Sequence, residues 1–341
     1  MGSSVPPSPA LRRPLVGYGL LAAASLSVPL LTRDTYYVDV ATTILMNLVL
    51  TMSLRLEMST GQLNMAHISF LGIGAYASTL LVMRGGYSFW IAMWAAGLVA
   101  LLCALPIGSL ALRVSGPYYF LITFAFSEVV RLIFNNFFVG WFGGPSGLVQ
   151  IPKPDPIRMP GLQLAFAGKV ELYYLMCALF LVAAAVLVRL DYSRFGLITN
   201  AIRQSDLLAE TLGVRIFRCK LTAFALGSFM AGITGAFFAH SHQVLHSSDF
   251  GLEPMVLLVV FTVIGGAGSV WGPVVGTVVL TVVSELMREF HHYETLVYGA
   301  VLILIMLLMP EGLISLPGKL DRLLRRGGGG EAEAMGVGVA P

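Results

Sequence analysis

The sequence predicts an all-α fold, a polytopic integral membrane helical bundle, and three observations predict it. Of the 341 residues, 57% are hydrophobic and only 11% charged, whereas a soluble domain is about a quarter charged. Apolar runs approaching the ~20 residues needed to cross a hydrocarbon core recur along most of the chain. Alternating segments of about ten residues, the mark of a membrane β-barrel, do not dominate. Length alone suggests two globular domains, but so few charges cannot cover a surface facing water.

Ten apolar segments follow in order, at 15–31, 38–54, 64–82, 89–112, 117–139, 171–189, 221–240, 254–264, 270–287 and 295–309. Residues 1–14 (MGSSVPPSPALRRP) form an N-terminal extension without a clean signal-cleavage pattern, so the first segment reads as a retained helix. Segment 64–82 is rich in small residues, and 254–264 is short and followed at once by GGAGSVWG. Either admits a broken or re-entrant helix, which is tolerated only where protein or water buries the freed backbone. The apolar body, 15–317, is followed by a tail, 318–341, that is Gly-rich and of low complexity, so disorder is expected there. Cys103, Cys177 and Cys219 form no CxxC pair, which indicates neither a disulfide framework nor a zinc site.

Lys and Arg collect in three places: Arg12 and Arg13; then Arg189, Arg194, Arg203, Arg215, Arg218 and Lys220; then Lys319, Arg322, Arg325 and Arg326. The positive-inside rule places all three in the cytoplasm. Six crossings separate the first two groups and four the last two, so the assignment is self-consistent with both termini cytoplasmic. Loops 140–170 and 241–253 then lie outside.

Two stretches echo each other. GQLNMAHISFLG (61–72) and GGAGSVWGPVVG (265–276) begin and end with glycine at the same separation, with His67 or Trp271 midway. Two repeat halves and a coincidence within a Gly-rich chain are both open readings.

The insert 191–220 carries eight charged side chains, at about 2.5–3.5 kcal/mol for each placed centrally in a bilayer. It cannot span. Yet Ile198, Ile202, Leu208 and Leu212 fall near helical spacing, with Leu207 beside them. Ser205 is suited to cap a helix start and Gly213 to stop one. A short amphipathic cytoplasmic helix is expected, exposing Arg203, Gln204, Asp206 and Glu210. Its residues alone leave two uses open: docking into a partner's groove, or simply joining two spans.

Longer blocks narrow the choice. GQLNMAHISFLGIGAYAS, RVSGPYYFLITFAFSEVVRL, the GGPSG loop, NAIRQSDLLAETLGVRIFRCKLTAFALGSFMAGITGAFFAH and VIGGAGSVWGPVVG, with SELMR and PEGL after it, occur in this order. Together they resemble the LivM-type permeases of branched-chain amino acid ABC transporters over about residues 61–317. The resemblance implies that 201–213 is a coupling helix gripped by an ATPase, with Ala201, Arg203, Ser205, Asp206, Leu208, Ala209, Glu210, Leu212 and Gly213 in that role. It implies as partners a second, LivH-like permease, two ATP-binding subunits and a periplasmic or extracellular solute-binding protein, in a bacterial inner membrane with its lipid. No G-x-x-x-x-G-K-[ST] occurs in the sequence. ATP and Mg are accordingly expected on the ATP-binding subunits, with no cofactor, metal or nucleic acid expected on this chain. The solute stays open: relatives serve leucine-like amino acids, urea, amides and aromatic acids.

A zwitterionic solute can meet an open helix N-terminus with its carboxylate. Gly265, Gly266, Gly268 and Ser269, and the segment holding Asn64, His67 and Ser69, are the candidates for the substrate pathway; small residues there also serve close helix packing. Glu128 with Arg131, and Glu285 with Arg288, sit three apart and read as intramembrane ion pairs of structural use. A stand-alone transporter driven by an ion gradient needs a mid-span acid, for which Glu128 is the one good candidate. His240, His242 and His246 read as loop histidines without a metal, like His291 and His292. No nucleophile, base and orienter stand together, so no enzyme is expected.

Overall fold

A computed structural model describes residues 9–31, 34–159, 162–166 and 168–287, together with Gly299. The segment 295–309, Arg288, His291, His292 and the tail 318–341 lie outside the described residues. Helices α1 (Pro9–Leu31), α2 (Thr35–Met58), α3 (His67–Met83), α4 (Phe89–Ala111), α5 (Pro117–Asn136) and the single turn α6 (Val139–Phe142) come first. After them run α7 (Lys169–Asp191), α8 (Arg194–Gln204), α9 (Asp206–Thr211), α10 (Ile216–His242), α11 (Leu252–Gly265) and α12 (Trp271–Met287). Six helical stretches among the described residues are long and apolar enough to cross a membrane: Thr35–Met58, Phe89–Ala111, Pro117–Asn136, Lys169–Asp191, Ile216–His242 and Ser247–Gly265. Gly17–Pro29, His67–Met83 and Trp271–Glu285 are shorter apolar helices. The segment expected to be short, 254–264, is longer because a 3-10 turn over Ser247–Phe250 leads into α11.

The fold is all-α as expected, with two short strand pairs confined to its loops. Strands β1 (Leu148–Val149) and β4 (Val244–Leu245) pair antiparallel, and β2 (Ile157–Met159) pairs with β3 (Leu162–Leu164). All four lie in loops 140–170 and 241–253. Their Gly and Pro content forbids helix, and strand pairing supplies partners for backbone groups that partial burial takes from water. Ile151 N donates to the Gln243 carbonyl at 3.1 Å, which extends the join between the two loops.

The chain forms two compact units, Met1–Val259 and Val260–Pro341. In the first, α10 packs against α2, α3 and α4, and α2 also packs against α7. Missing side chains permit this closeness: a Cβ on Gly74 would stand 2.2 Å from the Gly232 carbonyl oxygen. Such backbone contact is how membrane helices associate without a hydrophobic driving force between them.

Two opposite ends of this unit are marked by contacts. At one, the joined loops meet Phe89, whose N–H donates to Asp155 Oδ2 at 3.0 Å, and Asn135, whose Oδ1 accepts from Ser247 at 2.9 Å. At the other lie the C-termini of α2 and α7, with α8 and α9. The two loops therefore share one end, and the polar insert takes the other.

In the second unit, Gly266 adopts φ 109°, open only to glycine at low cost, and turns the chain from α11 into α12. Cβ atoms on Gly265 or Gly276 would fall 1.9 Å from the Gly272 carbonyl oxygen and 2.1 Å from that of Phe261. The absence of side chains at these two glycines lets the helices pack closely. At the stretches that echo in sequence, His67 and Trp271 each open a helix of 17 residues.

Candidate functional site

The insert is built by two caps and a stop. Ser193 Oγ accepts from Phe195 N at 3.1 Å and starts α8. Ser205 then leaves helical conformation (φ −163°, ψ 115°), and its Oγ accepts from Leu208 N at 3.3 Å to start α9. Gly213, at φ 79°, ends it, with Val214 N donating back to the Ala209 carbonyl at 3.2 Å. The cap and stop expected at Ser205 and Gly213 are thus where the sequence puts them.

The single helix over 201–213 is not. Ala201 and Arg203 belong to α8, and the extended Ser205 resets the helical phase. Spacing counted across it therefore misassigns the faces. Ile202 and Ala209 are buried, but Leu207, Leu208 and Leu212 are 72%, 66% and 81% exposed. Asp206 and Glu210 are exposed as expected. Lys220 of α10 donates to Asp206 Oδ2 at 2.7 Å and ties the start of α9 to the central helix. A leucine-bearing turn, anchored at its root and bare at its tip, results.

Above the insert lies a buried polar junction that sequence reasoning missed. Glu57, 3% exposed near the end of α2, accepts from Asn64 Nδ2 at 2.5 Å through Oε2 and meets His67 Nδ1 at 3.0 Å through Oε1. The other nitrogen of His67 is 3.1 Å from Ser53 Oγ. Arg55 binds Asp191, the last residue of α7, at 2.5 Å. A Cβ on Gly61 would stand 3.6 Å from the Arg203 Cα, so the turn between α2 and α3 rests against the end of α8. The charged RLE that follows the second apolar segment, 38–54, is the signal in the sequence.

Asn64, His67 and Ser69 are all fully buried. Ser69 donates to Ser127 Oγ of α5 at 2.6 Å, and Met65 N to Thr123 Oγ1 at 3.2 Å. The structure thus brings these three together with Glu57 in the packing of α2, α3 and α5. Gly265, Gly266, Gly268 and Ser269 form the α11–α12 turn in the other unit, where Ser269 Oγ accepts from Trp271 N at 3.3 Å.

Glu128 and Arg131 pair within α5, with Nε at 3.0 Å from both carboxylate oxygens. Their side chains are 37% and 29% exposed, so among the described residues Glu57 is enclosed and Glu128 is not. Glu285 lies on α12. Two histidines expected in a loop stand in the last turn of α10 instead. Of these, His240 is buried, 2.6 Å from the Pro152 carbonyl and 3.0 Å from Ser78 Oγ. Among the described residues no three His, Cys, Asp or Glu groups are placed to hold a metal ion.

A bundle of membrane-length helices, with an anchored, leucine-tipped helical insert at one end, has the build of a multi-pass membrane protein. The family described as the permease component of branched-chain amino acid transport systems matches residues 36–309, and the chain belongs to it. It is 30% identical over 297 residues to the high-affinity branched-chain amino acid transport system permease protein LivM of Escherichia coli strain K12, covering 81% of this chain and 69% of that protein. The LivM protein of Salmonella typhimurium matches to the same extent. LivH of Salmonella typhimurium is 29% identical over 140 residues, 40% of this chain and 45% of its own length. No solved structure matches.

Proposed function

We propose that this permease subunit forms, with a LivH-like second permease, the passage of an importer for branched-chain amino acids or related small polar solutes. Two ATP-binding subunits, carrying ATP and Mg, supply the energy from the cytoplasmic side, where both termini lie. A solute-binding protein delivers the solute to the end bearing loops 140–170 and 241–253. The membrane is the bacterial inner membrane.

One observation carries this reading: three exposed leucines on an anchored helix, in a sequence that has no nucleotide-binding loop of its own. An apolar helical face of this kind suits a hydrophobic groove in a partner. Displacement of the insert acts through Lys220–Asp206 of α9 on α10, through the α8 end at Arg203 on the α2–α3 turn at Gly61, and through the α7 end at Asp191 on Arg55 of α2. Helix α10 in turn contacts α2, α3 and α4, so a push at the insert is felt by most of the unit. Alternating access then parts α3 from α5 at Ser69–Ser127 and brings Asn64, His67 and Ser69 toward the passage. The turn at 265–269 belongs to the same proposed pathway.

Uptake by cells holding the whole assembly tests the reading. Leu208→Glu and Glu210→Arg are expected to abolish uptake and to lose the ATP-binding subunits on co-purification, with membrane insertion unchanged. Normal uptake by both variants would overturn the coupling assignment.

A further inference from the structure

We propose that the groove between α1 and α7 is a binding site for one anionic phospholipid, its acyl chain lying along α7 and its phosphate on Arg189. The two helices touch at Ser25, where the Tyr173 hydroxyl donates to the Ser25 carbonyl at 2.5 Å and Cys177 lies 3.4 Å from Ser25 Oγ. From that contact toward the insert end a cavity of about 780 Å³ separates them. Its α7 wall is Phe180, Leu181, Ala184, Ala185, Val188 and Arg189. Steps of three and four make this a single stripe parallel to the helix axis.

Length, polarity and charge each select the occupant. From Phe180 to Arg189 the helix rises about 14 Å, close to one leaflet of a ~30 Å hydrocarbon core. Leu21 and Ala22 line the facing wall, and a Cβ on Gly19 would meet nothing within 4 Å. Polar groups occur only at the insert end, where Tyr18, Arg189, Tyr192 and Ser193 gather. A long apolar stem with a polar head at one end matches that lining, and a small polar solute does not. The neighbouring carboxylate, Asp191, is held by Arg55, while Arg189 makes no ion pair among the described residues. An exposed cation at headgroup level beside an apolar cleft between helices favours an anionic headgroup.

The site is built by α1, α7 and the residues that join α7 to α8, and it needs no partner subunit, so its test is independent of the transport reading. Native mass spectrometry of the full chain in mild detergent, titrated with phosphatidylglycerol or phosphatidylcholine, measures retention. The wild type is expected to retain phosphatidylglycerol about fivefold better, the worth of one basic residue near a headgroup. Arg189→Gln is expected to bring that ratio close to one while leaving phosphatidylcholine retention unchanged. Gly19→Phe fills the groove from α1 and is expected to reduce retention of both lipids; Gly19→Leu replaces it if the larger variant loses its helical circular dichroism. Arg113→Gln, at the same end but outside the groove, is expected to change nothing. The proposal is overturned if Arg189→Gln keeps the wild-type ratio or if Arg113→Gln lowers it equally. Retention of both lipids by the filled groove, or a helix of another subunit seated there in the assembly, overturns it too.

Discussion

Glu57 shows what a single residue contributes when the fold encloses it. Its carboxylate serves Asn64 and His67 together, and the side chain is admitted only because residue 227 has none: a Cβ there would fall 2.0 Å from Oε1. Glu57→Ala strips two buried donors of their acceptor, at about 1–3 kcal/mol each. Thermal unfolding of the detergent-solubilised protein is expected to register that loss, and Gly227→Ala is expected to destabilise through the same carboxylate. The Arg55–Asp191 pair follows the same logic. Removing Arg55 leaves a nearly buried carboxylate without its cation, and Arg55→Ala is expected to cost about 3–5 kcal/mol. Lys169→Ala breaks the half-exposed pair with Asp39 and is expected to cost no more than about 1 kcal/mol. Equal effects of the two substitutions would refute the ranking. This residue-level chemistry was illegible in sequence for a plain reason: Glu57, Asn64 and His67 straddle a turn, so no helical period links them.

Elements are more legible where their signals are local. A serine that can accept a hydrogen bond three residues on, and a glycine that can take positive φ, act within one turn. Ser205 and Gly213 were accordingly readable from the sequence. The orientation of the leucines was not, because face assignment assumes unbroken helical phase, and Ser205 in extended conformation breaks it. That same break yields a prediction. Ser205→Ala removes the cap, worth about 1 kcal/mol, and favours a helix running on through 201–211. Hydrogen exchange is expected to slow at residues 206 and 207, whose amides start a helix in the native chain and gain acceptors one turn back in the run-on helix. Leu207, Leu208 and Leu212 then rotate out of their present direction, and uptake is expected to fall with them. Unaltered exchange in the variant would show that the cap does not set the phase.

At the scale of the whole molecule, apolar length made the membrane helices legible, while their neighbours were not. Which helix is central depends on small side chains meeting across space, as at Gly74 and Gly232. The joined loops depend on strand pairs two residues long, below any sequence signal. One helix nevertheless says something about what lies beyond the chain. Helix α5 buries the stripe Tyr119, Thr123, Ser127, Val130 and Phe134 and leaves Tyr118, Leu121, Ala125, Val129 and Leu132 exposed. Glu128, half-exposed beside that bare face, is the twelfth of its 20 residues. A charged group facing lipid near the bilayer centre costs at least ~2.5 kcal/mol, even by the lowest scales. Pairing with Arg131 lowers this cost but does not remove the need for a polar neighbour or water. This face is therefore expected to line the passage or meet the second permease rather than contact acyl chains. With Cys103, Cys177 and Cys219 replaced by serine, Ala125→Cys is expected to react with a charged, membrane-impermeant maleimide in the assembled importer, and to do so at different rates with and without ATP. Leu102→Cys, on the exposed apolar stripe of α4, is expected to react only with a lipid-soluble maleimide. Should Ala125→Cys behave like Leu102→Cys, α5 faces the bilayer and the ion pair at Glu128 is carried there at its full cost.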